Sequence, residues 1–147
     1  IPSLDNLTSD YVERVKPLVS ELVSKGKKVM IHTGWHAEPS IVGELASAFP
    51  SGEFIMAHSK EDDDSYKLER FKVLEKCDNV WLELSYLQGT NRLIDYLKAG
   101  FEDKLLFGSD FMGPKYVKNI SRLVSDVLMI SDEPNKIFYQ NAEELFT

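Results

Sequence analysis

The sequence predicts an α/β fold in which four strands alternate with helices around a parallel sheet. Two observations carry this expectation. Short, nearly continuous apolar runs alternate with stretches of helical periodicity, the pattern of a sheet covered by helices. The runs also give way to loops at His32, His58, Ser85 and Asp110, at steps of 26, 27 and 25 residues, a regular βα period. At 147 residues and 43 % hydrophobic, residues 1–147 read as a single domain with a real core.

Each element follows from local chemistry. Val12, Val15, Leu18, Val19, Leu22 and Val23 recur at helical spacing, with Pro17 as a kink or a first turn. Gly26 closes that helix, as a left-handed terminator does. "KVMIH" is the first strand. Pro39 suits a helical first turn, and Ile41, Val42, Leu45, Ala46 and Phe49 form one stripe that Pro50 ends. "EFIMAHS" is the second strand. Ser65 is expected to cap a helix carrying Leu68, Phe71 and Leu74, with the acidic run Glu61–Asp64 giving favourable charge at its start. That run lacks the alternating oxygen ligands of a calcium loop. "NVWLELS" is the third strand, a helix around Leu93, Ile94 and Leu97 follows, and "KLLFGSD" is the fourth. Val117, Ile120, Val124 and Val127 mark a further helix. The last runs from about Ser131 to Leu145, with Asn141 and Glu144 as a capping pair.

The bulk chemistry narrows the function. A net charge of −7 argues against nucleic acid or an anionic membrane as partner. No apolar run is long enough to span a bilayer, and no signal-peptide pattern is present. The single cysteine, Cys77, fits a reducing compartment, so a cytoplasmic location is expected. Cys77 has no neighbouring base in the sequence to make it a nucleophile. Ser85 lacks a nucleophile-elbow context. No strand leads into a glycine-rich phosphate loop, which disfavours a flavodoxin-like reading.

In a parallel sheet all strand C-termini share one edge, where α/β proteins place their sites. His32, His58 and Asp110 therefore converge. Two histidines and a carboxylate are ligand types for zinc, iron or manganese, which lower the pKa of a bound water. Trp35 and His36, just past a strand end, are candidates to line a substrate pocket. Trp81 reads as core or helix-facing packing, and Glu83 as a polar residue facing the interior, where it needs a partner.

The order "IHTG", "AHS", "NVWLELS", "GSD" and "NAEELF" resembles the amidohydrolase superfamily, in the branch of amidohydrolase-related decarboxylases and hydrolases of small carboxylates and lactones. The resemblance implies the last four strands of a (β/α)8 barrel. It implies that His32 is a metal ligand and that His58 binds a second metal or contacts water or substrate, stabilising charge on the substrate oxygen. It implies that Asp110 ligates metal and moves the proton of the attacking water, with Gly108 and Ser109 shaping its turn. The implied cofactor is a divalent metal, Zn2+ first and Mn2+ second, and the implied partner is a small-molecule substrate. The family's His-x-His motif is absent, as is a fourth-strand ligand, and a whole barrel takes about 250 residues. The chain, which begins Ile1-Pro2, therefore reads as the C-terminal half of a longer parent. The missing half or a second copy would close the barrel, and a homo-oligomer is expected. Two alternatives stand beside the hydrolase: a metal-dependent non-oxidative decarboxylase, and a non-catalytic half-barrel that assembles or binds a partner.

Overall fold

The computed structural model describes residues 9–34, 37–59, 64–87 and 89–147. Four strands, β1 (Val29–His32), β2 (Phe54–Ala57), β3 (Val80–Glu83) and β4 (Leu105–Leu106), form one sheet in sequence order, every pair parallel. The helices are α1 (Ser9–Ser24), α2 (Pro39–Ala48), α3 (Asp64–Lys76), α4 (Thr90–Lys98), α5 (Val117–Ile130) and α6 (Asn141–Phe146). The strand–helix alternation is the one the sequence predicts.

Register assigns the two faces. Val29, Phe54 and Val80 align, as do Ile31, Met56, Leu82 and Leu105. These rows pack with Val42, Leu45, Leu74 and Leu93 from the helices in the main core. Each fully buried Leu or Phe of this layer contributes roughly 1.5–3 kcal/mol relative to exposure. On the other face Met30, Ile55 and Trp81 align, followed by Glu83 beside Leu106. There Ile55, Leu106 and Leu145 form a second, smaller cluster with Trp81 and Ala142. Trp81 is thus core packing, and its indole N–H donates to Glu53 Oε2 at 2.9 Å.

Pro17 lies inside α1, the first of the two places the sequence allows it. Several local details differ from the sequence expectation. Leu18 and Leu68 are exposed, so the stripes of α1 and α3 are narrower than their apolar content suggests. Ser65 lies within the first turn of α3, which starts at Asp64, and so does not stand before the helix as a cap. Residues 61–63 of the acidic run lie outside the described residues. The buried face of α5 is Leu123, Asp126 and Val127, while Val117 is exposed. The terminal helix begins near residue 134, passes through a π-helical segment at Lys136–Gln140 and continues as α6. Asn141 is therefore not a cap. Its amide donates to the carbonyls of Glu102 and Leu105, both at 2.8 Å, tying the terminal segment to β4. Phe107 N–H donates to Ile137 O at 2.9 Å, so this segment also takes up part of the β4 edge. Gly26 behaves as predicted, with φ +65° just past α1.

Candidate active site at the strand ends

Side chains following all four strands meet at one cavity of about 490 Å3. It is lined by His32, the last residue of β1, with Thr33 and Gly34 beyond it, His58 after β2, Tyr86 after β3, and Asp110 with Met112 after β4. The sequence expectation that His32, His58 and Asp110 share one edge holds in this geometry. The His32 and His58 rings meet edge to face with centroids 4.7 Å apart. Tyr86 stands edge-on to His58 at 5.6 Å and to Tyr116 at 5.9 Å.

The backbone turns sharply at three of these positions. His58, Tyr86 and Asp110 have φ of 69°, 61° and 39°, left-handed values that side chains with a Cβ rarely adopt. Each costs roughly 1–2 kcal/mol. Such strain concentrates at functional sites because the surroundings must over-determine it. The consequence is directional. Strand alternation starting from Phe54 would send residue 58 toward the helices. The left-handed turn breaks the alternation and lets His58 line the cavity. The same reasoning applies to Tyr86.

Beneath the cavity lies a network of short polar contacts. Thr33 Oγ1 donates to the carbonyls of Ala57 at 3.0 Å and His58 at 3.2 Å, joining the ends of β1 and β2. Glu83 faces inward, as expected, and has its partners. His58 N–H donates to Oε2 at 3.0 Å, Ser85 N–H to Oε1 at 2.8 Å, and the Ser85 hydroxyl to Oε2 at 2.7 Å. Ser85 Oγ also lies 2.7 Å from His58 Nδ1. A Cβ on Gly108 would fall 1.5 Å from Glu83 Oε1, so only glycine leaves room for this carboxylate beside β4. That explains the glycine of "GSD" more directly than turn shape does.

Ser85, the third strand-end residue of the sequence argument, is buried and serves the network. Tyr86 takes its place in the cavity. Its only sequence signal was an aromatic next to a strand-end serine. The Tyr86 hydroxyl is held above the ordinary phenol range, first by its hydrogen bond with Tyr116, then by burial and by the nearby Asp110 carboxylate. Trp35 and His36 lie outside the described residues. Cys77 is buried, 3.8 Å from the Gly43 carbonyl and 3.9 Å from Ser47 Oγ, on the helical side of the sheet and away from this cavity.

The donor types at the cavity suit a divalent metal: two imidazoles and a carboxylate. Their grouping is incomplete, because among the described residues no three His, Cys, Asp or Glu side chains cluster as a metal site requires. An ion held here would need ligands from outside these four strands. Among the described residues no helix is long and apolar enough to cross a membrane.

Comparison with known proteins agrees with the fold. A family model described as amidohydrolase matches residues 2–147. An uncharacterised TIM-barrel protein from Bordetella bronchiseptica superposes with a TM-score of 0.72 at 22 % identity, over 90 % of this chain and 50 % of that one. Amidohydrolase 2 from Bifidobacterium longum subsp. infantis superposes with a TM-score of 0.65 at 14 % identity, over 95 % of this chain and 55 % of that one. The chain thus spans about half the length of these two proteins. No functionally curated protein matches it.

Proposed function

The chain belongs to the amidohydrolase family, and we propose on that footing that it forms half of a hydrolase site acting on a small amide, ester, lactone or carboxylate. The observation that carries this reading is the meeting of His32, His58, Tyr86 and Asp110 at one cavity on the C-terminal edge of the sheet. In the (β/α)8 architecture this is the catalytic end. The cavity is the size of a small-molecule site.

In this reading each residue has a distinct task. Asp110 accepts a proton at its carboxylate from the attacking water. His32 and His58 supply imidazole nitrogens to the cavity. Tyr86 keeps its proton and presents a hydroxyl donor beside Asp110. A divalent metal, zinc before manganese, held by these groups together with ligands from the remainder of a barrel, would supply an activated water. The same groups would serve a non-oxidative decarboxylation, and the products distinguish the two.

The test is metal content and turnover of the protein that carries these four strands. A panel of small esters, lactones, amides and carboxylic acids is assayed with carbon dioxide release followed in parallel. About one divalent ion per chain is expected, together with hydrolysis that falls roughly 10²–10⁴-fold in Asp110→Asn. His32→Ala is expected to lower the metal content. Carbon dioxide release would select the decarboxylase. Full turnover in Asp110→Asn would remove the reading.

A further inference from the structure

We propose that Glu83 is the positioning residue of this site: acting through the Ser85 hydroxyl, it fixes His58 in the tautomer that carries its proton on Nδ1 and leaves Nε2 as an acceptor. The assignment follows from counting donors.

Glu83 Oε1 receives Ser85 N–H at 2.8 Å. Oε2 receives His58 N–H at 3.0 Å and lies 2.7 Å from Ser85 Oγ. A backbone N–H can only donate, so at least two of the contacts fix Glu83 as acceptor. An ionised carboxylate accepts everywhere, so the third comes from the serine O–H. That hydroxyl has one hydrogen, and it is now committed to Glu83. Yet Ser85 Oγ is also 2.7 Å from His58 Nδ1. Oγ is therefore the acceptor in that contact and Nδ1 carries the hydrogen. A neutral imidazole has a single N–H, which leaves a lone pair on Nε2, across the ring from Ser85.

Geometry shows why the serine is needed. His58 Nδ1 and Glu83 Oε2 are 3.7 Å apart, too far for a direct hydrogen bond. The hydroxyl bridges the gap in two short steps. Burial holds the relay still: Glu83 and Ser85 are 8 % and 2 % exposed. Gly108 completes the seat, since any Cβ there would displace the carboxylate. Glu83 also anchors the left-handed turn of His58 by its own backbone N–H. One side chain on β3 thus sets both the position and the proton of a side chain following β2.

The consequence deepens the reading of the site proposed above and rests on it. An Nε2 lone pair suits a metal ligand or a base. It does not suit a neutral hydrogen-bond donor to a substrate oxyanion, the other role the family resemblance offers His58.

The test needs neither metal nor substrate, so its failure is distinct from failure of the hydrolase reading. The chain is labelled with 15N-histidine, treated with chelator and held well above the ordinary imidazole range. Long-range proton–nitrogen correlations then report which ring nitrogen is protonated. With three histidines in the chain, the signal lost in His58→Gln assigns the ring. The expected wild-type result is a protonated Nδ1 and a bare Nε2. Ser85→Ala should shift the majority form to Nε2–H, and Ser85→Thr, which keeps the hydroxyl, should restore Nδ1–H. A wild-type proton on Nε2 overturns the proposal by itself, whatever the Ser85 variants do. An unchanged Nδ1–H in folded Ser85→Ala overturns it as well.

Discussion

At the scale of single residues the site is governed by contacts that the amino-acid order does not display. Gly108 is the sharpest case. Alanine there would place its Cβ 1.5 Å from Glu83 Oε1 and 2.4 Å from Cδ, so the carboxylate must leave its three donors. Gly108→Ala is expected to cost about 2–4 kcal/mol. Gly26 is the control, with φ +65° and nothing within 4 Å of the added methyl. Gly26→Ala should cost only about 1 kcal/mol. Urea denaturation of both variants checks the order, and equal costs would mean that Glu83 tolerates displacement. Tyr86 gives a second expectation. Its phenol is raised first by the Tyr116 hydrogen bond, then by burial and by Asp110. The folded state therefore holds the Tyr86 proton more tightly than the unfolded chain does. That stabilisation is whole below the ordinary phenol range and is lost as pH rises through the folded value. An ultraviolet phenolate titration should show late-ionising absorbance that Tyr86→Phe reduces.

At the scale of elements, hydrophobic pattern made the strand–helix alternation legible. "KVMIH", "EFIMAHS" and "NVWLELS" are read from their apolar runs because both faces of a covered strand bury the same kind of side chain. Periodicity at steps of 25 to 27 residues then located the strand ends and brought His32, His58 and Asp110 together. It could not separate Ser85 from Tyr86. The alternation that assigns faces stops at the first left-handed residue, and nothing in "LSYL" announces one. Asn141 shows the complementary limit. Its spacing to Glu144 fits a cap, yet its amide reaches two carbonyls, of Glu102 and Leu105, that lie 39 and 36 residues earlier in the chain. A local rule does not see a distant partner. Asn141→Ala leaves those acceptors without this donor and is expected to cost about 1–3 kcal/mol. It should also speed proteolysis within residues 134–147 relative to the sheet. Cleavage that stays uniform along the chain would mean that the π-helical segment holds without this anchor.

At the scale of the whole molecule, the sheet has two unlike edges. β4 is partly covered by the carbonyl of Ile137, whereas among the described residues β1 has a strand neighbour on one side only. The inner face is also uneven. Leu145 and Ala142 pack against Ile55, Trp81 and Leu106 in its middle, while Met30 on β1 stays 59 % exposed. The barrels this chain resembles are about twice its length, and in a (β/α)8 barrel the interior is filled by side chains from all eight strands. An unpaired parallel edge beside an exposed apolar side chain favours pairing with another chain. We therefore expect the isolated chain to self-associate through β1, with a mass by light scattering that rises with concentration. Met30→Lys places a charge on that face at a position already open to water. It should change monomer stability by no more than about 0.5 kcal/mol. It should nevertheless abolish the association, because a lysine turned into a closed interior is unpaired and desolvated. A mass that stays monomeric at every concentration in the unsubstituted chain would refute pairing through β1.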